Sequence, residues 1–270
     1  MDLGIKDKVA LITGGSRGIG KSAAIELAKE GCHISIIGRN KKALRETEEE
    51  LSSYNIKTVS ISANLETAKG VQKAVSKTLK KFNKIDILFN NAGHSHPCTP
   101  ISATDKEWES ILNIHLMACV RTCRLVIPGM IERKWGRIIN MSSMHGLSPG
   151  LGVPDYSTAK AAVINYTNSL AMEYSKYGIC ANSICPGLIH TEIWDKYADS
   201  IAPQYNTDRE GIFKITTKRA SAVKRYAHPS EVGKVVTFLA SECASFITGC
   251  PIQVDGGALC GIEFDYDKQK

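Results

Sequence analysis

The sequence alternates short apolar segments with longer amphipathic ones, and this alternation constrains the fold more than any other feature. Between the apolar segments, side chains such as Val71, Val75 and Leu79 recur at helical spacing. Continuous apolar strands joined by helices indicate an α/β fold, with a parallel sheet covered on both faces. The apolar segments predict seven strands, at Val9–Thr13, Ile34–Ile37, Thr58–Ile61, Ile85–Phe89, Arg137–Met141, Ile179–Ile184 and Ile252–Val254.

The domain organisation follows from the same pattern. No internal repeat or linker interrupts it, so we expect one domain over residues 1–257, followed by a tail over residues 258–270. Residues 191–226 leave the alternation and mix aromatic side chains with glycine, proline and charges. We interpret this segment as an excursion from the sheet that forms a lid over the substrate.

Composition narrows the classes of partner. The net charge of +7 is scattered, without a basic block, which argues against a nucleic-acid partner. No apolar run approaches the roughly 18 residues of a membrane span, and the residues before Val9 are too few for a signal peptide. The nine cysteines include no CxxC pair, which favours reduced thiols. We therefore expect a cytoplasmic protein with no membrane partner.

A glycine-rich turn joins the first strand to the first helix. Its residues are Gly14, Gly15, Ser16, Arg17, Gly18, Ile19 and Gly20. At the carboxyl edge of a parallel sheet, the backbone N–H groups of such a turn and of the helix N-terminus attract a pyrophosphate. The spacing, Gly-x3-Gly-x-Gly, differs from the G-x-G-x-x-G fingerprint, but its position after a strand predicts a dinucleotide site in a Rossmann-type, doubly wound fold.

The end of the second strand predicts which dinucleotide binds. An acidic residue there would accept a hydrogen bond from the ribose 2′-hydroxyl of NAD, whereas arginine accommodates the 2′-phosphate of NADP. The strand ends in Gly38, Arg39 and Asn40, without an acid, and Arg17 adds a second guanidinium. We expect NADP(H) to be preferred over NAD(H); the alternative is that both arginines are ordinary surface residues.

A tyrosine and a lysine one helical turn apart suggest acid–base chemistry. Tyr156 and Lys160 share a helix face, and a nearby ammonium lowers the pKa of a phenol enough for proton exchange. Such a pair is common on helix surfaces. This pair points to catalysis because of its position: it follows the strand that ends in Ser142 and Ser143, at the same sheet edge as the glycine turn.

Taken in order, these motifs resemble the short-chain dehydrogenase/reductase family. The resemblance covers about Lys8 to Gly257 and rests on Thr13-Gly14-x3-Gly18-x-Gly20, Asn90-Asn91-Ala92-Gly93, Asn113, Ser143, Tyr156-x3-Lys160 and Pro186-Gly187. It implies that Tyr156 is the general acid/base and that Lys160 binds the nicotinamide ribose and lowers the pKa of Tyr156. It also implies that Ser143 binds the substrate oxygen, that Asn113 holds a water and that Asn90 stabilises the sheet.

The resemblance also assigns binding residues. Beyond the glycine turn, Arg39, Tyr156 and Lys160, it places the cofactor against Asn40, Asn64, Leu65, Asn91, Ala92, Gly93, Pro186, Gly187, Ile189 and Thr191. Asn64 departs from the family, which commonly has an aspartate there. With Ser143 and Tyr156, we expect His145, Leu188 and Trp194 to shape the substrate pocket. The loop His94–Cys98 carries metal-binding side chains, but the mechanism needs no metal, and we interpret the loop as pocket lining.

The resulting hypothesis is an NADP(H)-dependent oxidoreductase that transfers a hydride between the nicotinamide and a carbonyl or secondary alcohol. A ketone or a 3-oxoacyl compound is the expected substrate class. The alternatives are an NAD-dependent secondary-alcohol dehydrogenase and a non-catalytic cofactor sensor, although sensors usually lack the tyrosine or the lysine. Apolar side chains on more than one side of two helices, the one over Asp105–Arg133 and the one after Tyr156, predict a homodimer or homotetramer.

Overall fold

The computed structural model describes residues 2–260, and the backbone alone of residue 219. All seven predicted strands are present, and their ends lie within two residues of the predicted ones. The strands are β1 (Val9–Thr13), β2 (His33–Gly38), β3 (Thr58–Ser62), β4 (Ile87–Asn90), β5 (Gly136–Met141), β6 (Ile179–Pro186) and β7 (Pro251–Val254).

Helices connect the strands. They are α1 (Gly18–Lys29), α2 (Lys41–Leu51), α3 (Ala68–Phe82), α4 (Asp105–Leu112), α5 (Ala118–Arg133), α6 (Pro154–Tyr174), α7 (Glu192–Ile201), α8 (Arg209–Ala220) and α9 (Pro229–Leu239). One π-helical turn, Asn113–Met117, joins α4 to α5 without a break. Such turns are rare and are frequent at functional sites.

The strands form a single parallel sheet in the order β3-β2-β1-β4-β5-β6-β7. The direction of winding reverses between β1 and β4, where the chain switches from one side of the sheet to the other. In a doubly wound fold, ligands bind outside the carboxyl ends of the strands at this switch point. The expected Rossmann-type, doubly wound fold is therefore confirmed, and its topology places the binding crevice beyond Thr13 and Asn90.

Both faces of the sheet are buried, as the continuous apolar strands predict. Along β1, Ala10 and Ile12 point into one core with residues of α1, α2 and α9, and Leu11 points into the other. The second core is formed with α3, α5 and α6. Because successive strand residues face opposite sides, a strand between two helix layers needs apolar side chains at every position.

The segment 191–226 lies outside the sheet, as expected of an excursion. It consists of α7, a short 3₁₀ turn (Ala202–Tyr205), α8 and a loop. Its helices share a small apolar core of their own around Ala198, Ala202 and Ile212. Of the predicted tail, residues 261–270 lie outside the described residues.

The continuous helix Asp105–Arg133 bears on the membrane analysis. It has 29 residues, and an 18-residue window of it has a mean hydropathy of 1.4, so it is long and apolar enough to cross a membrane by length and composition. Half of that window is buried inside the protein, and Val126, Ile127 and Met130 lie in the second core. Core helices of soluble proteins pass the same test, so the helix is weak evidence for a membrane span.

Candidate active site

The glycine turn has the geometry of a tight phosphate-binding turn. Gly14 has a φ of +66°, a left-handed conformation that glycine adopts without steric cost. At Gly20, an added Cβ would collide with the carbonyl oxygen of Gly14 and would lie 2.5 Å from Nδ2 of Asn91. The first turn of α1 therefore packs directly against the end of β1, and only glycine fits at this contact.

The start of α1 is open to an anion. Its N-cap residue, Arg17, makes no side-chain capping hydrogen bond, and no acidic residue lies in the first turn. The first N–H groups of a helix lack intrahelical partners and carry a partial positive charge. The residues present thus fit the pyrophosphate of a dinucleotide.

The segment after β4 is fastened to the end of β1. The hydroxyl oxygen of Thr13 accepts from the backbone N–H groups of Asn91 (2.8 Å) and Ala92 (3.0 Å). The amide of Asn91 in turn donates to the carbonyl oxygens of Thr13 (3.0 Å) and Gly14 (3.2 Å). Thr13 therefore holds the segment after β4 against the end of β1, a role that the sequence analysis did not assign to it.

The segment after β6 reaches the same crevice. A Cβ built on Gly18 would lie 3.3 Å from Cγ2 of Thr191. Ile189 is buried and pairs with Ala227 in an isolated parallel bridge, and Gly187 donates to the carbonyl oxygen of Val254 at 3.1 Å. The structure thus brings Thr191, the last of the predicted contacts after β6, next to the glycine turn.

The two arginines predicted to bind the 2′-phosphate are exposed and loosely paired. Arg39 lies 3.6 Å from a carboxylate oxygen of Glu66, and Arg17 lies 3.6 Å from one of Glu192. Their side chains are 70% and 51% exposed, respectively, so both are accessible to a ligand. Ion pairs of this kind contribute little to stability, and an incoming phosphate can displace them at low cost.

Other residues predicted to contact the cofactor also make contacts within the protein. Ser16 Oγ lies beside Gly38, which brings the glycine turn next to the end of β2. Oδ1 of Asn40 caps α2 by accepting from two backbone N–H groups, and Oδ1 of Asn64 accepts from the N–H of Glu66. The side chain of Leu65 is buried in the second core.

Tyr156 and Lys160 lie on α6 where the carboxyl ends of β5 and β6 meet. The ammonium of Lys160 is 5.3 Å from the centre of the Tyr156 ring and is buried, with 2% of the residue exposed. It donates a 2.6 Å hydrogen bond to the carbonyl oxygen of Met141, at the end of β5. Burial lowers the pKa of Lys160 to about 8.

The surroundings of Tyr156 act on its pKa in opposite directions. Burial raises this pKa, and a hydrogen bond with the Ser143 side chain opposes the rise in part. The lowering of the Tyr156 pKa by Lys160, which the resemblance implies, stays a prediction.

Ser143 and Asn113, the other two predicted catalytic residues, are held by defined partners. Ser143 Oγ accepts from the backbone N–H of His145 at 3.1 Å, at the start of a 3₁₀ turn. Asn113 begins the π-helical turn, and its Oδ1 accepts from the guanidinium of Arg121 at 3.0 Å. Asn90 links β4 to the neighbouring strand β5 and to helix α5, because it donates to Asn140 and accepts from Thr122, each at 2.8 Å.

His115 is a site residue that the sequence analysis missed. It is buried, and its ring meets that of Tyr156 edge-on with 5.2 Å between centres. Its Nε2 is 2.7 Å from the carbonyl oxygen of His94, and burial together with Lys160 holds its pKa well below the ordinary value. A Cβ on Gly93 would collide with the His115 ring, so this glycine makes room for the histidine as well as for a cofactor.

The predicted substrate residues surround the same edge of the sheet. Leu188 is buried after β6, and His145 is partly buried against Gly150. Trp194, near the start of segment 191–226, packs edge-on against Tyr226 with 5.5 Å between ring centres. The aromatic side chains of this segment therefore pack against one another.

Comparisons with known proteins agree with this arrangement. A family profile described as "short chain dehydrogenase" matches residues 8–202. A 3-oxoacyl-(acyl-carrier-protein) reductase, FabG of Aquifex aeolicus, is 33% identical over 95% of this chain and 99% of its own. L-sorbose reductase from Gluconobacter frateurii, solved with NADPH and L-sorbose, is 35% identical, covers 97% of this chain and all of its own, and superposes with a TM-score of 0.94.

A more distant structure, that of a variant of the actinorhodin polyketide ketoreductase with NADPH, is 28% identical, covers 93% of this chain and 97% of its own, and gives a TM-score of 0.88. The family match spans more than half of the chain, and the relatives align over nearly its full length. The chain is therefore an oxidoreductase and belongs to the short-chain dehydrogenase/reductase family.

Proposed function

We propose that this protein is an NADPH-dependent carbonyl reductase that reduces a ketone to a secondary alcohol. The observation that carries the proposal is the meeting of Tyr156, Ser143 and Lys160 beyond the carboxyl end of β5, two strands along the sheet from the glycine turn. Three of the similar proteins are named as reductases of carbonyl compounds, and two of these were solved with NADPH.

Each of these residues has one role in the proposed reduction. The nicotinamide, when bound, supplies the hydride to the carbonyl carbon. Ser143 donates a hydrogen bond to the carbonyl oxygen, and Tyr156 gives that oxygen a proton as it becomes an alkoxide. Lys160 binds the nicotinamide ribose and stabilises the phenolate that remains. Asn113 holds a water that returns a proton from solvent.

The environment of Tyr156 suits a proton donor. Burial raises its pKa, so the phenol carries its proton at neutral pH. A protonated tyrosine is ready to donate to a substrate oxygen, whereas alcohol oxidation first needs the phenolate.

Three features support NADP(H) over NAD(H). No acidic residue follows β2, where the ribose 2′-hydroxyl of NAD would need an acceptor. Arg39 and Arg17 are accessible and only loosely paired. The open groove beside Arg39 also contains Lys69 and Lys73 and no acidic residue among its lining. Guanidinium groups bind phosphate through charge-assisted hydrogen bonds, which exceed neutral ones in strength.

The proposed substrate is a polar ketone or a 3-oxoacyl compound. The backbone N–H of His145 donates to Ser143 Oγ, which places this histidine beside the proposed substrate-binding serine. The substrates in the names of the relatives, L-sorbose and a 3-oxoacyl-(acyl-carrier-protein), fall in these two classes. A cytoplasmic location stays a prediction.

The deciding experiment replaces the proposed acid. Tyr156→Phe should fold normally, bind NADPH with unchanged affinity and lose about 10²- to 10⁴-fold in kcat toward a panel of sugars, diketones and 3-oxoacyl esters. Tyr177→Phe, which changes a more exposed tyrosine beyond the end of α6, is the matched control and should keep full activity. Turnover by Tyr156→Phe within threefold of the wild type would refute the assignment.

A further inference from the structure

The loop after β4 meets the start of α6 at a cluster of metal-binding side chains. His96 and Cys98 come from the loop, and Asp155 is the second residue of α6. One nitrogen, one sulfur and one oxygen atom of the three residues lie within 4.8 Å of one another. The loop is fixed in place here, because the N–H of Cys98 donates to the carbonyl oxygen of Gly152 at 2.9 Å.

The cluster contains two buried polar atoms without hydrogen-bond partners. Oδ1 of Asp155 accepts from the N–H of Tyr156 at 2.7 Å and from the thiol of Cys98 at 3.3 Å. Its Oδ2 has no hydrogen-bond partner among the described residues, and neither does Nε2 of His96, 3.5 Å away. Asp155 is completely buried, and a buried carboxylate oxygen without a partner is costly.

A cation between these atoms would satisfy both of them. Thiolate, imidazole and carboxylate are together the ligand set of zinc, which prefers four ligands in a tetrahedron. With bonds of about 2.0–2.3 Å, tetrahedral ligand atoms are roughly 3.3–3.8 Å apart. Cys98 Sγ lies 3.3 Å from Oδ1 of Asp155 and His96 Nε2 lies 3.5 Å from its Oδ2, so each of these two ligand atoms is already at such a distance from one oxygen of the carboxylate.

We propose that His96, Cys98 and Asp155 form a binding site for a zinc-class divalent cation. The fourth ligand is Glu107 or a water. Oε2 of Glu107 is committed to the capping box of α4, but its Oε1 lies 3.7 Å from Nε2 of His96 and is free to turn toward the ion. On binding, the Cys98 thiol loses its proton to solvent and the thiolate sulfur bonds to the metal.

The site is separate from the reacting atoms and acts on the position of Tyr156. Asp155 precedes Tyr156 in the chain and accepts from its backbone N–H. An ion held by Asp155 and the loop would tie the wall of the crevice to the first turn of α6. This metal site is therefore a positioning element beyond the proposed reductase chemistry, and its existence does not depend on the substrate.

The test uses metal binding itself and not activity. The full-length, chelator-treated protein is titrated with Co²⁺ as a spectroscopic probe, and Zn²⁺ affinity is measured by competition with a chromophoric chelator. We expect one equivalent of Co²⁺, with visible bands of tetrahedral cobalt and a near-ultraviolet sulfur-to-cobalt charge-transfer band. Cys98→Ser should remove the charge-transfer band and weaken Zn²⁺ binding at least about 100-fold, more than losing an outer-shell partner does.

Two further variants complete the design. His96→Gln should weaken Zn²⁺ binding by a similar factor. Because this variant keeps the Cys98 thiol, it shows whether the metal binds without the imidazole. Cys243→Ser removes an exposed cysteine remote from the loop in sequence, and it should bind both metals as the wild type does. The proposal is overturned if cobalt produces no sulfur charge-transfer band, if Cys98→Ser keeps that band, or if either ligand variant binds Zn²⁺ with unchanged affinity.

Discussion

Replacing Lys160 by methionine should stabilise the protein while removing its activity. The ammonium of Lys160 is buried, and its pKa is lowered from 10.5 to about 8 by loss of solvation. At 1.36 kcal/mol for each pKa unit, this shift corresponds to about 3 kcal/mol of destabilisation wherever the lysine is charged in both states. Methionine has a similar length and no charge.

Part of the gain is offset by a lost hydrogen bond. The carbonyl oxygen of Met141 accepts from Lys160 at 2.6 Å, and leaving a buried acceptor unpaired costs about 1–3 kcal/mol. We therefore expect Lys160→Met to raise the free energy of unfolding by up to about 2 kcal/mol at pH 7. For a chain of this size, the melting temperature should rise by up to about 6 °C.

The pH dependence of the stability difference shows whether the gain in Lys160→Met comes from removing a buried charge or from better packing of the methionine. Below about pH 8 the lysine is charged in both states, and the wild type carries the full penalty. Between about pH 8 and 10.5 only the unfolded chain binds the proton, so the stability of the wild type rises with pH. The advantage of Lys160→Met should therefore shrink over this range and reverse before its upper end, because the hydrogen bond lost at Met141 is not restored by a rise in pH.

The assay is urea unfolding of the cofactor-free protein, in reductant and at one protein concentration, from pH 7 to about pH 10. Lys77→Met, on the exposed face of α3, is the matched control and should change stability by no more than about 0.5 kcal/mol at any pH. The reasoning fails if Lys160→Met is less stable than the wild type at pH 7, or if its advantage is the same at both ends of the range.

Two further predictions concern the cofactor and the assembly. Arg39→Ala should raise the KM for NADPH by about 5- to 30-fold and leave the KM for NADH unchanged, since only NADPH carries the 2′-phosphate. The effect on NADPH is modest because the Arg39 side chain is exposed and its phosphate contact is partly screened. Equal weakening of both cofactors in steady-state kinetics would contradict the 2′-phosphate contact. Light scattering should show a dimer or tetramer. Helix α6 leaves the apolar side chain of Met172 88% exposed, and a second subunit would cover it. A stable, active monomer at micromolar concentration would contradict this.

Much of the fold could be predicted because its signals are local. Burial on both sides makes each strand continuously apolar, and the helices between them show their own period. The glycine turn and the Tyr156–Lys160 pair are likewise recognised from spacing within one short segment. Periodicity does not determine the order of the strands in the sheet, which follows instead from the family resemblance.

The remaining features depend on side chains that are distant in sequence. His115 reaches Tyr156 from another helix, and its place is open only because Gly93 has no Cβ. Asp155 lies 57 positions after Cys98, so the loop alone did not identify a metal site. The direction of the Lys160 ammonium is also set by tertiary structure, since the carbonyl oxygen of Met141 that it contacts belongs to β5. Spacing along a helix fixes which residues share a face, but not which partner each side chain takes.

The three titratable groups around the reacting oxygen are all shifted toward their neutral forms, and this predicts opposite pH profiles for the two directions. Burial raises the pKa of Tyr156 and lowers those of Lys160 and His115. Reduction needs the protonated phenol, so its kcat should stay level up to about pH 8, where the ammonium of Lys160 begins to titrate. Alcohol oxidation needs the phenolate, so its kcat should rise with pH across the same range. Rates measured in both directions at saturating cofactor decide this; an oxidation optimum at or below pH 7 would mean that Tyr156 is not the group that exchanges the proton.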